Sequence, residues 1–411
     1  MGLDILTLIF FVYVIAAFYF LSLYILIYLR NRGEMFKFPK ITKKYDLSIV
    51  VPCYNEEKHI AGTIQSLLDS NYSNLKKIIV VDDCSTDNSY NIIKQYAKKY
   101  ARVMAVQTPK NTGKASGAKN YGSRFVKTEL IGFTDADSYP KRDAIEKMIG
   151  YFDEKKVGAV TAAVLVQKRD RWIERLQSIE YKVIIFTRKL LGFIGAIYVT
   201  PGPLAIYRKK AFDVVGGFDE TNMTEDIEIT WHLAAKKYLV KMCIPAKVYT
   251  VAPKKTKVWF NQRIRWNVGG VQTMLKYKKS FLKKGILGNF ILPFFVFQWF
   301  LGIFGLAVLI YRYVRRTIVQ YLSTKYSVAA HAAILTIRDL NLTPNVLIFF
   351  GLTLLISNLL FISLALLHSK ETEFKKHNIF TILFFAFFYL LAYPTILVVS
   401  MFKLITGRYK W

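Results

Sequence analysis

The 411-residue chain is poor in the groups that build disulfide frameworks and metal cages. Its three cysteines, Cys53, Cys84 and Cys243, form no CxxC pair, which excludes a disulfide-stapled secreted domain and fits a reducing compartment. The five histidines, His59, His232, His331, His368 and His377, show no metal-ligand spacing, so a zinc site is not expected. No GxGxxG follows a strand-like run, which argues against a dinucleotide dehydrogenase. Internal repeats and low-complexity tracts are also missing. Acidic residues are scarce: 28 Asp plus Glu against 58 Lys plus Arg leave a formal charge of +30. Such a charge fits nucleic acid, but no zinc-finger spacing or RNA-binding aromatic motif accompanies it. Much of the excess flanks apolar runs, where Lys and Arg meet anionic headgroups. Membrane lipids, and no nucleic acid, are therefore the expected partners.

Apolar residues are abundant, at 53% of the chain, and unevenly spread. The runs from Ile5 to Leu29, Phe290 to Ile310, Val346 to Leu367 and Ile379 to Phe402 are uncharged. About 20 apolar residues cross a hydrocarbon core of about 30 Å, so four spans are expected. The leader Met-Gly-Leu-Asp is acidic where a cleaved signal sequence is basic, and Leu6 breaks the myristoylation pattern that Gly2 begins. Arg30, Arg32, Lys37 and Lys40 follow the first run, which by the positive-inside bias puts the long polar block in the cytoplasm. Ile318 to Ile337 either lies along the interface or crosses as a fifth span. The expected organisation is an N-terminal span and linker over residues 1–36, a cytosolic α/β domain over 37–258, amphipathic interfacial helices over 259–288, and a membrane region over 289–411.

Within the polar block, Leu47 to Val51, Lys77 to Val81, Val103 to Gln107 and Leu130 to Thr134 read as short strands. The segments between them are long enough for crossover helices, which gives a parallel, Rossmann-like sheet. Ligands of such sheets collect beyond the carboxyl ends of the strands, and the polar motifs fall there. Pro52-Cys53-Tyr54-Asn55-Glu56 follows the first strand, Asp82-Asp83 the second, and Asp135-Ala136-Asp137 the fourth. Later come Thr224-Glu225-Asp226 and Gln262-Arg263-Ile264-Arg265-Trp266. Paired carboxylates repel and resist burial, so three such clusters in this order are a poor recipe for a core.

Each motif also has a plain structural reading. PCYNE is equally a strand-to-helix turn with an Asn cap, or a nucleoside site in which Tyr54 stacks on a base beside Asn55 and Glu56. Asp83 and Asp87 sit in VVDDCSTDNS, where Ser85 or Thr86 is positioned to cap the next helix. Lys114, with Lys119 and Asn120, opens a helix whose free N–H groups favour phosphate; a solvated lysine face has the same pattern. Asp135 and Asp137 flank one residue, so in extended chain both project to one side and suit a hard divalent ion, Mg²⁺ or Mn²⁺. Thr224 is placed to cap a helix, and Trp266 with Arg263 and Arg265 suits a membrane interface.

In this order the motifs make the chain similar to the membrane-embedded inverting glycosyltransferases of family two, in the branch of the cellulose, hyaluronan and poly-N-acetylglucosamine synthases. The resemblance runs from about Asp46 to Gln272. It implies a GT-A domain set between membrane helices in the cell membrane, a UDP-sugar donor, and a polysaccharide or lipid-linked acceptor. It implies nucleotide contacts from Pro52, Tyr54, Asn55, Glu56, Asp83, Asp87, Lys114 and Asp135, and metal contacts from Asp135 and Asp137. Asp226 is implied as the general base with Glu225 beside it. Gln262, Arg263, Arg265 and Trp266 are implied at the acceptor and the departing diphosphate. A non-processive transferase acting on a membrane lipid shares much of this pattern. An exporter with a degenerate nucleotide domain would explain the spans but not the intact carboxylates.

Overall fold

The computed structural model describes residues 5–283, 285–330, 346–368 and 379–408. The chain opens with helix α1 (Ile5–Asn31) and enters strand β1 (Leu47–Cys53). There follow α2 (Ile60–Leu68), β2 (Leu75–Asp82), α3 (Ser89–Lys99), β3 (Val103–Gln107), α4 (Ala115–Ser123) and β4 (Leu130–Phe133). β1 to β4 are mutually parallel in the order β3-β2-β1-β4, as the alternation of strand and helix predicts. All seven residues of β1 are buried, which is how a strand covered on both faces reads as a continuous apolar run. α4 lies close on β1 and β2: a Cβ at Gly122 would stand 2.5 Å from Val50 and 2.7 Å from Val81.

The second half of the sheet departs from a purely parallel reading. β5 (Ser138–Pro140), α5 (Ala144–Ile149), β6 (Val157–Val166), α6 (Trp172–Phe193), β7 (Ala205–Arg208), α7 (Lys209–Val214), α8 (Glu225–Ala235) and β8 (Leu239–Thr250) complete it. Among the described residues one mixed sheet runs β3-β2-β1-β4-β7-β6-β8-β5, with β7 antiparallel to both neighbours and β5 antiparallel to β8. β8 was hidden in the sequence by Pro245, which sits where its pairing with β6 slips register. β7 lies inside PGPLAIYR, whose glycine and prolines read as a loop.

α9 (Thr256–Tyr277) carries the QRIRW pentad, and α10 (Leu292–Ala329), α11 (Val346–Leu367) and α12 (Ile379–Ile405) follow. Three described helical stretches, Phe11–Glu34, Leu287–Ala329 and Ile379–Ile405, are long and apolar enough to cross a membrane. A shorter apolar stretch, Leu352–Leu367, lies within α11, at the place of the third expected span. The separate element expected over 318–337 is not formed in its described part. Residues 318–329 instead continue α10 without a break, since no glycine or proline interrupts the sequence there, and 331–337 lie outside the described residues. Of the helices expected over 259–288, α9 supplies the part up to Tyr277, and the chain then leaves the helix. α9 ends at Tyr277, a single 3₁₀ turn follows, and Leu282 adopts a left-handed φ of 54° that no helix sustains.

α6 is the bridge between the two halves, packing on β6 and β8 and on α1, α11 and α12. α9 packs against both α8 and α12. Its approach to α8 depends on Gly269, where a Cβ would fall 2.0 Å from the Thr224 hydroxyl.

Candidate active site

A cavity of about 490 Å³ opens where β1, β2 and β4 end. That is the size of a small-molecule site. Pro52, Tyr54, Glu56, Asp83, Lys114, Asp135, Asp137, Glu225, Asp226, Gln262, Arg265 and Trp266 line it. Residues separated by more than 200 positions thus converge because strand ends, the start of α8 and one face of α9 meet here. Three of the residues singled out from the sequence, Asn55, Asp87 and Arg263, do not line it.

Asn55 and Asp87 instead brace the loops that do. Asn55 has a left-handed φ of 54°, and its side-chain oxygen accepts from the Thr86 N–H at 2.8 Å. The Asp87 carboxylate accepts from the N–H groups of Ser89 at 2.9 Å and Glu57 at 3.1 Å, tying the loop after β1 to the start of α3. Neither Ser85 nor Thr86 caps that helix: Asn88 is its N-cap, with no side-chain bond. Asp83 faces the cavity with both oxygens engaged by Thr112, through its N–H at 3.0 and 3.1 Å and its hydroxyl at 2.8 Å. It orders the Asn111–Lys114 loop at the mouth of α4.

Asp135 and Asp137 are not in extended chain. They occupy a turn between β4 and β5, closed by the Ser138 N–H donating to the Asp135 carbonyl at 3.1 Å. Both nonetheless reach the cavity. The Pro201-Gly202-Pro203 loop lies directly on Asp135, since a Cβ at Gly202 would stand 2.3 Å from its Oδ2. Burial, followed by the charge of Asp135, pushes the Asp137 carboxyl up to about 6. Burial and then Asp137, Asp87 and Asp135 push Glu56 up to about 7. These groups form a crowded anionic patch that a cation relieves. Among the described residues no three His, Cys, Asp or Glu side chains converge into a closed cage. Two carboxylates, with the remaining positions left to phosphate oxygens and water, are the donor set that Mg²⁺ and Mn²⁺ accept, so the residues fit such an ion.

Lys119 is the feature whose role the sequence hid. It belongs to the lysine and asparagine pattern of α4 that suggested phosphate, yet its side chain is only 3% exposed. Its ammonium lies 2.9 Å from Glu225 and 3.5 Å from Asp135, joining the carboxylate clusters of α8 and β4 through one buried cation. Burial opposes the charge on Glu225, but Lys119 outweighs it and holds the carboxyl below its ordinary range. Asp226 responds in the opposite sense: burial, then the neighbouring Glu225 charge, raises it to about 7. Its Oδ1 accepts from the Ile227 N–H at 2.9 Å. Two adjacent carboxylates at one helix start are thereby driven apart, one kept ionised and one poised to exchange a proton near neutrality. Thr224 occupies the N-cap position without making a side-chain cap bond.

Helical phase sorts the pentad on α9. Gln262, Arg265, Trp266 and Gly269 are spaced i, i+3, i+4 and i+7, so they share one face. The first three of these line the cavity and Gly269 packs on Thr224. Arg263 is rotated off that face and fully buried. Its guanidinium engages Glu180 of α6, with Nε donating to Oε1 at 2.8 Å and Nη2 to Oε2. Direct contact of Arg263 with a cavity ligand is therefore not part of this arrangement. Glu180 was itself detectable in principle, because an acid among the apolar residues of α6 asks for a partner. Tyr181, the next residue, lines the cavity.

Residues 48–216 match the family described as Glycosyl transferase family 2. A poly-beta-1,6-N-acetyl-D-glucosamine synthase of Staphylococcus epidermidis is 32% identical over 250 residues, which are 60% of this chain and 60% of that protein. A second synthase of that name and species is 28% identical over 353 residues, 85% of this chain and 79% of it. The match thus spans less than two thirds of the first relative's length. Among solved structures, a mannosyltransferase from Pyrobaculum calidifontis in complex with GDP-Man and Mn²⁺ superposes with a TM-score of 0.62. It is 18% identical, and the match covers 97% of this chain and 99% of that one, so the likeness is one of fold. The shared architecture is the GT-A fold, flanked here by long apolar helices.

Proposed function

We propose that this chain, which carries a glycosyltransferase domain of family 2, moves a sugar from a UDP-sugar to a growing polysaccharide at the cytoplasmic face of the cell membrane. The observation that carries this reading is the convergence, on one cavity, of the carboxylates of Asp135, Asp137, Glu225 and Asp226 with the Gln262, Arg265 and Trp266 face of α9. Tyr54 and the loop ordered by Asp83 receive the nucleoside. Asp135 and Asp137 would hold Mg²⁺ or Mn²⁺, which when bound would supply positive charge beside the diphosphate.

Asp226 takes the proton of an acceptor hydroxyl. The oxygen so freed forms a bond to the anomeric carbon from the side opposite the diphosphate, the carbon–oxygen bond to the diphosphate breaks, and UDP departs with the electron pair. One displacement gives inversion and needs no covalent intermediate with the enzyme. Glu225, held ionised by Lys119, keeps Asp226 basic enough to act near neutrality. Trp266 offers its ring to the C–H face of the acceptor sugar, and Arg265 reaches the leaving diphosphate.

The curated relatives named as poly-N-acetylglucosamine synthases support a polymer product and N-acetylglucosamine as the first donor to test. Purified protein in lipid nanodiscs, incubated with a panel of UDP-sugars and with GDP-mannose, tests the proposal when released nucleotide and product size are both measured. A ladder of lengthening saccharide supports it. One sugar on an extractable lipid redirects it to lipid glycosylation, and no nucleotide release from any donor refutes it.

A further inference from the structure

Every hydrogen-bonding site of Glu180 is taken. Oε1 accepts from Arg263 Nε at 2.8 Å and from the Tyr393 hydroxyl at 2.9 Å. Oε2 accepts from Arg263 Nη2 and from the Tyr389 hydroxyl at 2.7 Å. A carboxylate has about four lone-pair sites, so this one is saturated. The two phenols come from α12, one helical turn apart on one face, and α12 is among the helices apolar enough to cross a membrane.

Arg263 is used just as fully: it stands over the buried Trp259 ring, 5.7 Å from its centre, and two further contacts point toward the cavity. With Nε and Nη2 on Glu180, its Nη1 donates to the side-chain oxygen of Gln262. Its guanidinium carbon, Cζ, stands over the Trp266 ring, 4.1 Å from the ring centre. Gln262 and Trp266 both line the cavity. A buried ion pair is by itself weak evidence of anything beyond packing, because apolar replacements are often as stable. Here the free edge and the free face of the cation are both committed to cavity residues. Arginine does this and lysine cannot, since only a planar fork presents two donors to one partner, a third to another, and a flat face to a ring.

We infer that Glu180 is a positioning residue for the acceptor: through Arg263 it sets the Trp266 ring and the Gln262 amide, and through Tyr389 and Tyr393 it anchors them to membrane helix α12. The acceptor platform is then fixed to the membrane helices, whereas the donor is fixed to the strand ends of the sheet. This rests on the reading above, in which Trp266 and Gln262 meet the acceptor.

The test uses full-length protein in nanodiscs with UDP-N-acetylglucosamine. It compares nucleotide release to water alone with transfer to an added N-acetylglucosamine oligosaccharide, in wild type, in Glu180→Gln and in the double variant Tyr389→Phe/Tyr393→Phe. The double variant keeps the ion pair intact and removes only the two phenolic donors, so it covers the case in which Glu180→Gln fails to fold. Misplacement of a positioned group costs on the order of 10- to 100-fold, so acceptor KM rises or the transfer-to-hydrolysis ratio falls by about that factor, with donor KM within about twofold. Hydrolysis and transfer that fall in proportion with acceptor KM unchanged overturn the inference. So does a double variant that loses the folded state, for then the network holds the fold and not the platform. If wild type releases no nucleotide from any donor, the functional reading itself falls; if it does and the variants keep both the wild-type ratio and the wild-type acceptor KM, only the positioning role falls.

Discussion

Lys119→Met removes the one cation that joins the α8 and β4 carboxylates, and the size of its effect follows from the geometry. At 2.9 Å from Glu225 and 3.5 Å from Asp135, an ammonium gains about 5–6 kcal/mol of gross attraction per contact at an effective dielectric near 20. Most of that offsets the desolvation of a lysine that is 3% exposed. Asp135 keeps partial access to water and is screened. Glu225, with 11% of its side chain exposed, has little water to turn to and escapes the loss by taking a proton. From its ordinary value of 4.5, protonation at pH 7 costs about 3.4 kcal/mol, and at pH 5.5 about 1.4 kcal/mol. The sign is fixed. In the variant the folded state binds the extra proton, so its stability falls as pH rises from 4.5 toward 7. In wild type Glu225 is held below its ordinary range and contributes no slope there. The expected drop in Tm, followed by tryptophan fluorescence, is roughly 6–12 °C at pH 7 and about half that at pH 5.5. Lys119→Met/Glu225→Gln should recover most of the loss and remove the difference between the two pH values. An equal drop at both pH values, or a double variant worse than the single, refutes the reasoning.

Asp226→Asn should bind donor normally and lose about 10²–10⁴-fold in transfer, read by calorimetry beside turnover; parallel loss of donor affinity would make Asp226 a donor ligand instead. Because burial and Glu225 raise Asp226 to about 7, turnover should climb with pH through neutrality as the base loses its proton. Glu225→Gln removes that neighbouring charge and should move the limb to lower pH, whereas an unmoved limb refutes the coupling. Asp137→Asn and excess chelator should each abolish nucleotide release with circular dichroism unchanged, and full turnover in chelator contradicts the metal assignment. Gly202→Ala pushes a methyl against Asp135 and should weaken donor affinity in a titration while leaving Tm near wild type; unchanged affinity would show that Asp135 moves aside freely.

The parallel half of the sheet was legible because β1 and the Ile78–Val81 stretch of β2 are short, mostly apolar runs between helix-length segments, and each carboxylate motif followed a strand or opened a helix. Helical phase was the unread signal at the other end of the site. QRIRW taken as a block assigns both arginines to the ligand, but a step of 100° per residue puts Arg265 with Gln262 and Trp266 and turns Arg263 away. Its partner Glu180 lies 83 positions earlier, and no local rule links the two. The burial of Lys119 was equally silent, since a lysine in a short helix reads as solvated until Glu225 and Asp135 are brought over it. β8 failed for a different reason: a proline that marks a loop in isolation is tolerated where the pairing with β6 slips.

The balance of charge in the cavity argues for a cation that arrives with the donor. Six carboxylates, Glu56, Asp83, Asp135, Asp137, Glu225 and Asp226, line it against three cationic side chains, Lys114, Lys119 and Arg265. Asp83 is committed to Thr112, and Lys119 to Glu225 and Asp135. Lys114 is also engaged, donating to the backbone carbonyls of Glu220 and Thr221 at 2.9 and 3.1 Å. What faces the space near Asp137 is thus net negative, and this excess adds to burial, the larger cause, in displacing Glu56 and Asp137 upward. A nucleoside diphosphate is itself an anion and would be repelled by this patch on its own. Under the proposed function, carboxylates hostile to the bare donor would make the site selective for a donor carrying a divalent ion, with Asp137 outside the ion pairs that Lys119 makes with Asp135 and Glu225. Replacing Asp137 by asparagine lowers the repulsion and the affinity for the ion together. Nucleotide without metal should then bind the variant better than it binds wild type, while metal-dependent binding is lost, and a titration showing both losses in parallel would contradict this account of the charge.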